Sequence, residues 1–155
     1  MSDGYQASLH RAWVGERQGE VFFATLAELT ADPEMKRKWT LLAELERRVG
    51  IALERIVDVP EDEVVGTDSV ETAARRFAAE PLAEGMASLV AVIDAAVEAY
   101  NTMRETGPKA HATELDILAR HEIALQTFVR REVALQSADS LEEVESLLGE
   151  LRAQQ

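Results

Sequence analysis

The sequence predicts an all-α protein, specifically an up-down four-helix bundle with a long connection between its second and third helices. Three observations support this prediction. Apolar residues recur at helical spacing over four long segments, aromatic residues make up only 5% of the chain, and glycine and proline are few. A chain of 155 residues, 46% of them hydrophobic, suits a single domain over residues 1–155 with one core.

The first two predicted helices lie close together along the chain. The first runs from about residue 5 to residue 29, and its apolar stripe consists of Leu9, Ala12, Trp13, Phe23, Leu26 and Ala27. It ends at "TADPEM", where Asp32 can cap a second helix and Pro33 fits the first turn of that helix. The second helix continues to about residue 57. Because the link is so short, we expect the two helices to be antiparallel neighbours.

The connection to the third helix is long and acidic. "VDVPEDEVVGTDSVE", residues 57–71, interrupts the helical pattern with proline, glycine and acids, and a short helical stretch, "ETAARRFAAE", follows before Pro81. We expect this solvated segment to cross from one end of the bundle to the other.

The remaining chain predicts two long helices and a short C-terminal one. The third helix runs from about residue 81 to residue 105 and ends at "TGPKA", and the fourth spans about residues 112–136. Ser140 and Glu143 have the spacing of a capping box for the C-terminal helix.

Composition excludes several classes of function. The chain has 16 Lys and Arg against 29 Asp and Glu, a net charge of −13, so nucleic acid and anionic membrane are not expected partners. The absence of cysteine excludes disulfides, thiolate metal sites and iron–sulfur clusters. The N-terminal sequence lacks a signal-peptide pattern, and no apolar run approaches the ~20 residues needed to span a bilayer. We therefore expect a soluble cytoplasmic protein.

Each of the four long helices places at least one carboxylate on its apolar side. These acids are Glu16 and Glu20 in the first helix, Glu46 in the second, Asp94 in the third and Glu122 in the fourth. A buried carboxylate without a partner is costly and tends to remain protonated. A metal cation would balance such a group, since carboxylate oxygens ligate hard cations. Arginines offer the alternative, and Arg17, Arg47, Arg48 and Arg120 lie nearby in the sequence.

The stretch "VGERQGEVFFATLAEL" followed by "LLAELERRVG" resembles the rubrerythrin-type, ferritin-like diiron proteins. The resemblance covers residues 9–56 well and residues 112–135 loosely. It implies a ferritin-like bundle in which Glu16 is a metal ligand. It also matches Glu46 and Glu122 to the glutamates of the two Glu-x-x-His motifs that di-iron bundles carry.

The chain departs from this family at both histidines, because Val49 and Leu125 stand where the motifs require imidazoles. We therefore expect a degenerate, carboxylate-only site formed by the five acids named above. Such a site would bind iron or another divalent cation such as manganese, magnesium or calcium. The resemblance implies a role in handling iron or oxygen species, whereas the missing histidines argue against the usual diiron redox chemistry.

A second interpretation of the same residues stays open. In this interpretation the bundle has lost its metal, binds no cofactor and serves as an interaction or structural module. Under both interpretations we expect a homodimer. The two interpretations differ in whether Glu16, Glu46 and Glu122 converge between the helices.

The three histidines are not expected to be the primary ligands. His121 is predicted to lie at a seam between helices, packed between Ile117, Ala124 and Phe128, with a role as a replacement ligand as the alternative. His10 is predicted to point away from Glu16, and His111 to lie at the surface.

Overall fold

The computed structural model describes residues 3–155, and these residues form six α-helices and no strand. The helices are α1 (Asp3–Leu29), α2 (Pro33–Leu53), α3 (Asp68–Ala79), α4 (Leu82–Thr106), α5 (Ala112–Val133) and α6 (Glu142–Gln154). Short 3-10 turns, Lys109–His111 and Ser137–Asp139, precede α5 and α6. The all-α prediction is confirmed. Within the part of the chain described, no helix is long and apolar enough to cross a membrane.

The predicted start of α2 is confirmed, whereas the ends of two helices come earlier than predicted. The Asp32 side chain accepts a hydrogen bond of 2.8 Å from the Met35 amide, with Pro33 in the first turn. α2 ends at Leu53, where the amides of Arg55 and Ile56 bond to carbonyls three residues back and tighten the last turn. α5 ends at Val133, shortly before Leu135 takes a φ of 60° and turns the chain.

Two helix pairs and one aromatic group organise the core. α1 packs along α2 and α4 along α5, while α3 packs mainly against α1, and α6 against α5 and α2. Trp39 of α2 lies at the centre, stacked on Phe23 of α1 with ring centroids 5.9 Å apart. The edges of Phe77 of α3 and Phe128 of α5 meet the same indole. The Trp39 side chain thus joins four helices within the core.

The predicted capping box at α6 is not formed. Ser140 is fully buried, and its hydroxyl donates to Glu132 at 2.6 Å instead of capping the helix. α6 therefore begins after Leu141, which offers no side-chain cap.

Ser140 belongs to a buried polar group around Lys38. The Lys38 ammonium is ion-paired with Glu132 and donates to the Ser137 carbonyl at 2.7 Å and to the Ser140 hydroxyl at 3.0 Å. Both Lys38 and Glu132 are almost completely shielded from solvent. The pair joins α2 to α5 and to the turn before α6, and hydrogen bonds satisfy the buried ammonium.

We predict that Lys38→Ala lowers the free energy of unfolding by about 3–5 kcal/mol, because it leaves the Glu132 carboxylate buried without a cation. Urea unfolding followed by circular dichroism measures the loss. The matched control is Arg130→Ala, which breaks an exposed pair with Asp94 and should cost at most about 1 kcal/mol. Equal losses in the two variants would show that the Lys38 group does not stabilise the fold.

Candidate metal centre

Three carboxylates and one imidazole meet inside the bundle. Glu16 of α1, Glu46 of α2 and Glu122 of α5 are 2%, 5% and 7% exposed, and His121 of α5 is completely buried. The His121 Nε2 atom lies 3.0 Å from Glu16 Oε2, 3.2 Å from Glu122 Oε2 and 3.8 Å from Glu46 Oε2. None of the described arginines or lysines is ion-paired with these carboxylates, so His121 provides their cationic partner. We call these four residues the acidic cluster.

The helical phase of the apolar stripes directs the carboxylates inward. Glu46 lies one turn from both Leu42 and Val49, which are completely buried, so it shares their core-facing side. Glu16 follows Trp13 by three residues on α1, and Trp13 is buried as well. The register of the apolar stripes thus places these two acids in the core.

The orientation of His121 is set by the backbone. Its Nδ1 atom is within hydrogen-bond distance of the Leu118 carbonyl oxygen, one turn earlier on α5. Since a carbonyl only accepts, Nδ1 carries a hydrogen and Nε2 faces the carboxylates. The Tyr100 ring of α4 stacks against the imidazole at a centroid distance of 6.1 Å and helps to hold its plane. Metal-binding histidines are commonly oriented by such a hydrogen bond on the other nitrogen.

Two polar atoms of the acidic cluster lack a hydrogen-bond partner among the described residues. They are Glu16 Oε2 and His121 Nε2, which lie close together but without the alignment that a hydrogen bond requires. A buried polar atom without a partner costs roughly 1–3 kcal/mol. A cation between the two atoms would satisfy both at once.

The environment shifts the pKa values of the acidic cluster. Burial raises the pKa of Glu46 well above its ordinary value, and the neighbouring Glu16 carboxylate adds to the shift. Burial by itself would lower the pKa of His121, but the carboxylates of Glu16 and Glu122 outweigh it and raise the pKa well above the ordinary value. Burial, and then the same carboxylates, raise the pKa of Tyr100, so its phenol stays protonated. Without a metal, these shifts favour protons on His121 and Glu46.

The cluster has the spacing of a metal site. One ligand atom from each of Glu16, His121 and Glu122 can be chosen so that all three lie within 4.8 Å of one another. This buried Glu/His/Glu group could hold a metal ion, and Glu46 lies at its edge.

A glycine makes room for the Glu46 carboxylate. A Cβ atom on Gly19 of α1 would lie 2.7 Å from the Glu46 carboxyl carbon, closer than atoms can approach. A Cβ atom on Gly15 would lie 3.6 Å from the Tyr100 hydroxyl, which is ordinary contact. Gly19 thus fits the site specifically, whereas the space at Gly15 would accept a methyl group.

The structure does not bring Glu20 and Asp94 to the acidic cluster. Glu20 is ion-paired with Arg17 on α1 at 3.2 Å, because Gly19 occupies the inward position of that turn and Glu20 lies to one side. Asp94 is 39% exposed and pairs with Arg130 at 2.8 Å, since the preceding residue, Ile93, takes the core position on α4. Arginines therefore balance these two acids.

His121 lies buried at a seam between helices, as predicted, but only its Nδ1 atom has a hydrogen bond, and its Nε2 atom faces three carboxylates without one. Val49 and Leu125 are buried apolar residues, so the positions that resemble the Glu-x-x-His motifs contribute no nitrogen. The imidazole comes instead from the residue immediately before Glu122. Its sequence signal is a histidine inside the apolar stripe of a helix, next to an acid of the same stripe.

Comparisons of the chain with protein-family models, with curated proteins and with solved structures find no match. The resemblance to rubrerythrin-type proteins therefore stays a prediction, and the acidic cluster itself carries the functional inference.

We predict that the metal-free protein loses stability as pH rises from about 5 to about 8. The raised pKa values of Glu46 and His121 mean that the folded state retains protons which the unfolded chain releases above its ordinary pKa values of 4.5 and 6.5. Stability is then fully present below those values and is lost as pH rises through the folded pKa values. Each retained proton contributes a slope of up to about 1.4 kcal/mol per pH unit. Urea unfolding in the presence of EDTA measures this decline.

Glu46→Gln should remove the Glu46 part of the decline, because glutamine does not titrate, and leave the part that His121 contributes. Glu20→Gln, which changes an acid outside the acidic cluster, should leave the whole decline unchanged. A wild-type protein whose stability is constant or increases over this range would contradict the assignment of buried protons.

Proposed function

We propose that the protein binds one divalent cation between Glu16, Glu46, Glu122 and His121. One observation supports this above all: Nε2 of a fully buried histidine faces three buried carboxylates, and both it and Glu16 Oε2 lack hydrogen bonds. The cation would satisfy both atoms and neutralise charge that no described arginine or lysine balances.

The distances within the acidic cluster fit a single ion. Ligand atoms bonded at about 2.1 Å in an octahedral or tetrahedral site lie roughly 3.0–3.4 Å from one another. The distances from His121 Nε2 to Glu16 and Glu122, 3.0 Å and 3.2 Å, fall in this range. Glu46, at 3.8 Å, needs only a small movement to join them.

One nitrogen and three carboxylate ligands favour particular metals. Imidazole suits iron and zinc, while carboxylates suit manganese, magnesium and calcium, so the mixed set fits ferrous iron and manganese best. The absence of cysteine disfavours softer ions. Binding requires that His121 and Glu46 release their protons, so affinity should increase with pH.

We propose the ferritin-like bundle as the architecture of this site, with the iron or oxygen chemistry that the resemblance implies. The pairing of α1 with α2 and of α4 with α5, on either side of a segment that includes α3, supports the architecture. We also propose a cytoplasmic homodimer. Its support is that α4, an apolar helix, buries only Gly85, Met86 and Ile93 completely.

We predict that protein stripped with EDTA binds about one Mn(II) or Fe(II) per chain, because the four ligands surround one position. Calorimetric titration under anaerobic conditions measures stoichiometry and affinity, and metal analysis checks occupancy. At a free metal concentration of about 100 times Kd, stability should increase by about 2.7 kcal/mol. Glu122→Gln and His121→Gln should each weaken binding by more than about 100-fold, since changes beyond the direct ligands already cost about 10–100-fold.

Glu20→Gln and Asp94→Asn are the matched controls. Glu20 lies on α1, the helix of Glu16, and Asp94 lies on α4, but both acids pair with arginines. They should bind the metal as the wild type does. If all four variants bind equally, the ion lies on the acidic surface and the proposed site is wrong. A protein that binds no metal at neutral pH would favour the structural module, in which the protons of His121 and Glu46 balance the charge.

We predict that Gly19→Ala weakens metal binding by about 10–100-fold, because the new methyl group displaces the Glu46 carboxylate. The fold should survive, since the displaced group is the end of a flexible side chain and alanine favours a helix by about 1 kcal/mol over glycine. Gly15→Ala provides the control, with the same gain in helix propensity and normal metal affinity. Equal affinities for the two variants would show that Glu46 is not a ligand.

A further inference from the structure

A cleft of about 300 Å³ leads from the surface to the acidic cluster between α1 and α4. Gly15 and Gly19 lie along its α1 side, and neither projects a side chain into it. Val70 of α3 also lines it. The cleft is the place where the buried carboxylates come within reach of a molecule from solution.

The walls of the cleft and its inner end differ in chemistry. Phe22 of α1, Leu89, Val92 and Ala96 of α4, and Leu125 of α5 make the walls apolar. The inner end consists of the carboxylates of Glu16, Glu46 and Glu122 together with Tyr100. Val92 lies at the mouth of the cleft and is 66% exposed. Its side chain therefore leaves apolar surface uncovered beside the cleft.

We propose that this cleft binds a small, uncharged organic molecule, with its apolar body between α1 and α4 and its polar end at the acidic cluster. The proposal rests on the proposed function in one respect, because the bound cation is what the polar end of the molecule faces. The cleft thereby defines the substrate class of the site: a compact neutral molecule with a single polar group.

Charge decides between neutral, anionic and cationic molecules. Three glutamates outweigh one divalent cation, so the inner end keeps a negative charge and repels an anion, as does a chain of net charge −13. An ammonium group would have to leave water for an apolar cleft, at a cost of several kcal/mol, while the metal already neutralises most of the attraction. A hydroxyl or carbonyl group avoids both penalties.

Size limits the molecule further. A volume of about 300 Å³ is at the lower end of the range for ligand pockets, so it admits a body of roughly six carbon atoms but no large ring system. A six-carbon alcohol is therefore a suitable probe. The amine and the carboxylate of the same chain length test the charge argument directly.

The experiment compares 1-hexanol, hexylamine and hexanoate with the full-length protein loaded with Mg(II) and, separately, in EDTA. Ligand-observed NMR measures binding, and we expect 1-hexanol to bind at least ten times more tightly than hexanoate and more tightly than hexylamine. In protein loaded with Mn(II), paramagnetic relaxation should broaden the protons next to the hydroxyl more than those of the methyl end. This gradient would place the polar end at the cluster.

Ala96→Phe should fill the cleft and weaken hexanol binding at least tenfold, while Mn(II) binds as in the wild type. Ala91→Phe is the matched control, because residue 91 is an exposed alanine on the same helix outside the cleft. Ala96→Leu serves as a second, smaller filling variant if the phenylalanine variant does not fold. Melting curves of each variant establish that it is folded.

Three results would overturn the proposal: hexanol binding that is equal in the Ala96 variants and the wild type, hexanoate binding as tight as that of hexanol, or no hexanol binding at all. A failure of the metal site gives a different pattern. Metal analysis would then find no ion and relaxation no gradient, while hexanol binding in EDTA still depended on residue 96. If hexanol binds neither the metal-loaded protein nor the protein in EDTA, while metal analysis finds the ion, the cleft is eliminated as a binding site and the cation site remains.

Discussion

The burial of three carboxylates around a single imidazole is the constraint on which this structure depends. Removing several charges from water costs more than most single packing contacts contribute, and His121 can balance only part of the charge of Glu16, Glu46 and Glu122. The remainder must be met by protons or by a metal cation. The core around Trp39 and the helix pairs therefore have to hold together a centre that opposes folding when it is empty and ionised.

Residues 3–155 form two buried ionic centres, and these differ in how well their polar atoms are hydrogen-bonded. At Lys38 the ammonium faces Glu132 and three oxygen atoms of Ser137 and Ser140, so its donors are satisfied and the group links α2 to α5. At His121 the nitrogen and a carboxylate oxygen are close but not bonded. A satisfied centre needs no further ligand, whereas buried polar atoms without partners call for a physical explanation, and a bound cation is the one proposed above.

Much of the fold and part of the site follow from the sequence, and the reasons are specific. Helical spacing and the Asp32 cap predict α1 and α2, since local patterns determine local structure. Glu46 is recognisable because Leu42 and Val49 fix its phase. His121 is predicted from the sequence only as a histidine in a helix seam, because adjacent residues on a helix point about 100° apart and the resemblance assigns the ligand position to Glu122. Only the packing of the helices shows that His121 and Glu122 of α5 reach the same point as Glu16 of α1 and Glu46 of α2. The structure departs from the prediction at Asp94 for a related reason. A shift of one residue along α4 exchanges the inward and outward positions, and the inward position belongs to Ile93.

The glycines of α1 show how this site competes with stability. Each glycine within a helix costs about 1 kcal/mol relative to alanine, and α1 carries two of them one turn apart on the side of the cleft. At Gly19 the steric reason is plain, because any Cβ atom would collide with the Glu46 carboxylate. At Gly15 there is room for a methyl group, so packing does not require the glycine, and what it preserves is space beside Tyr100. A helix optimised for stability would carry alanine there and narrow the approach to the cluster. The helix propensity lost at Gly19 therefore corresponds to the position of the Glu46 carboxylate, and that lost at Gly15 to open space beside Tyr100, as the proposed site would require.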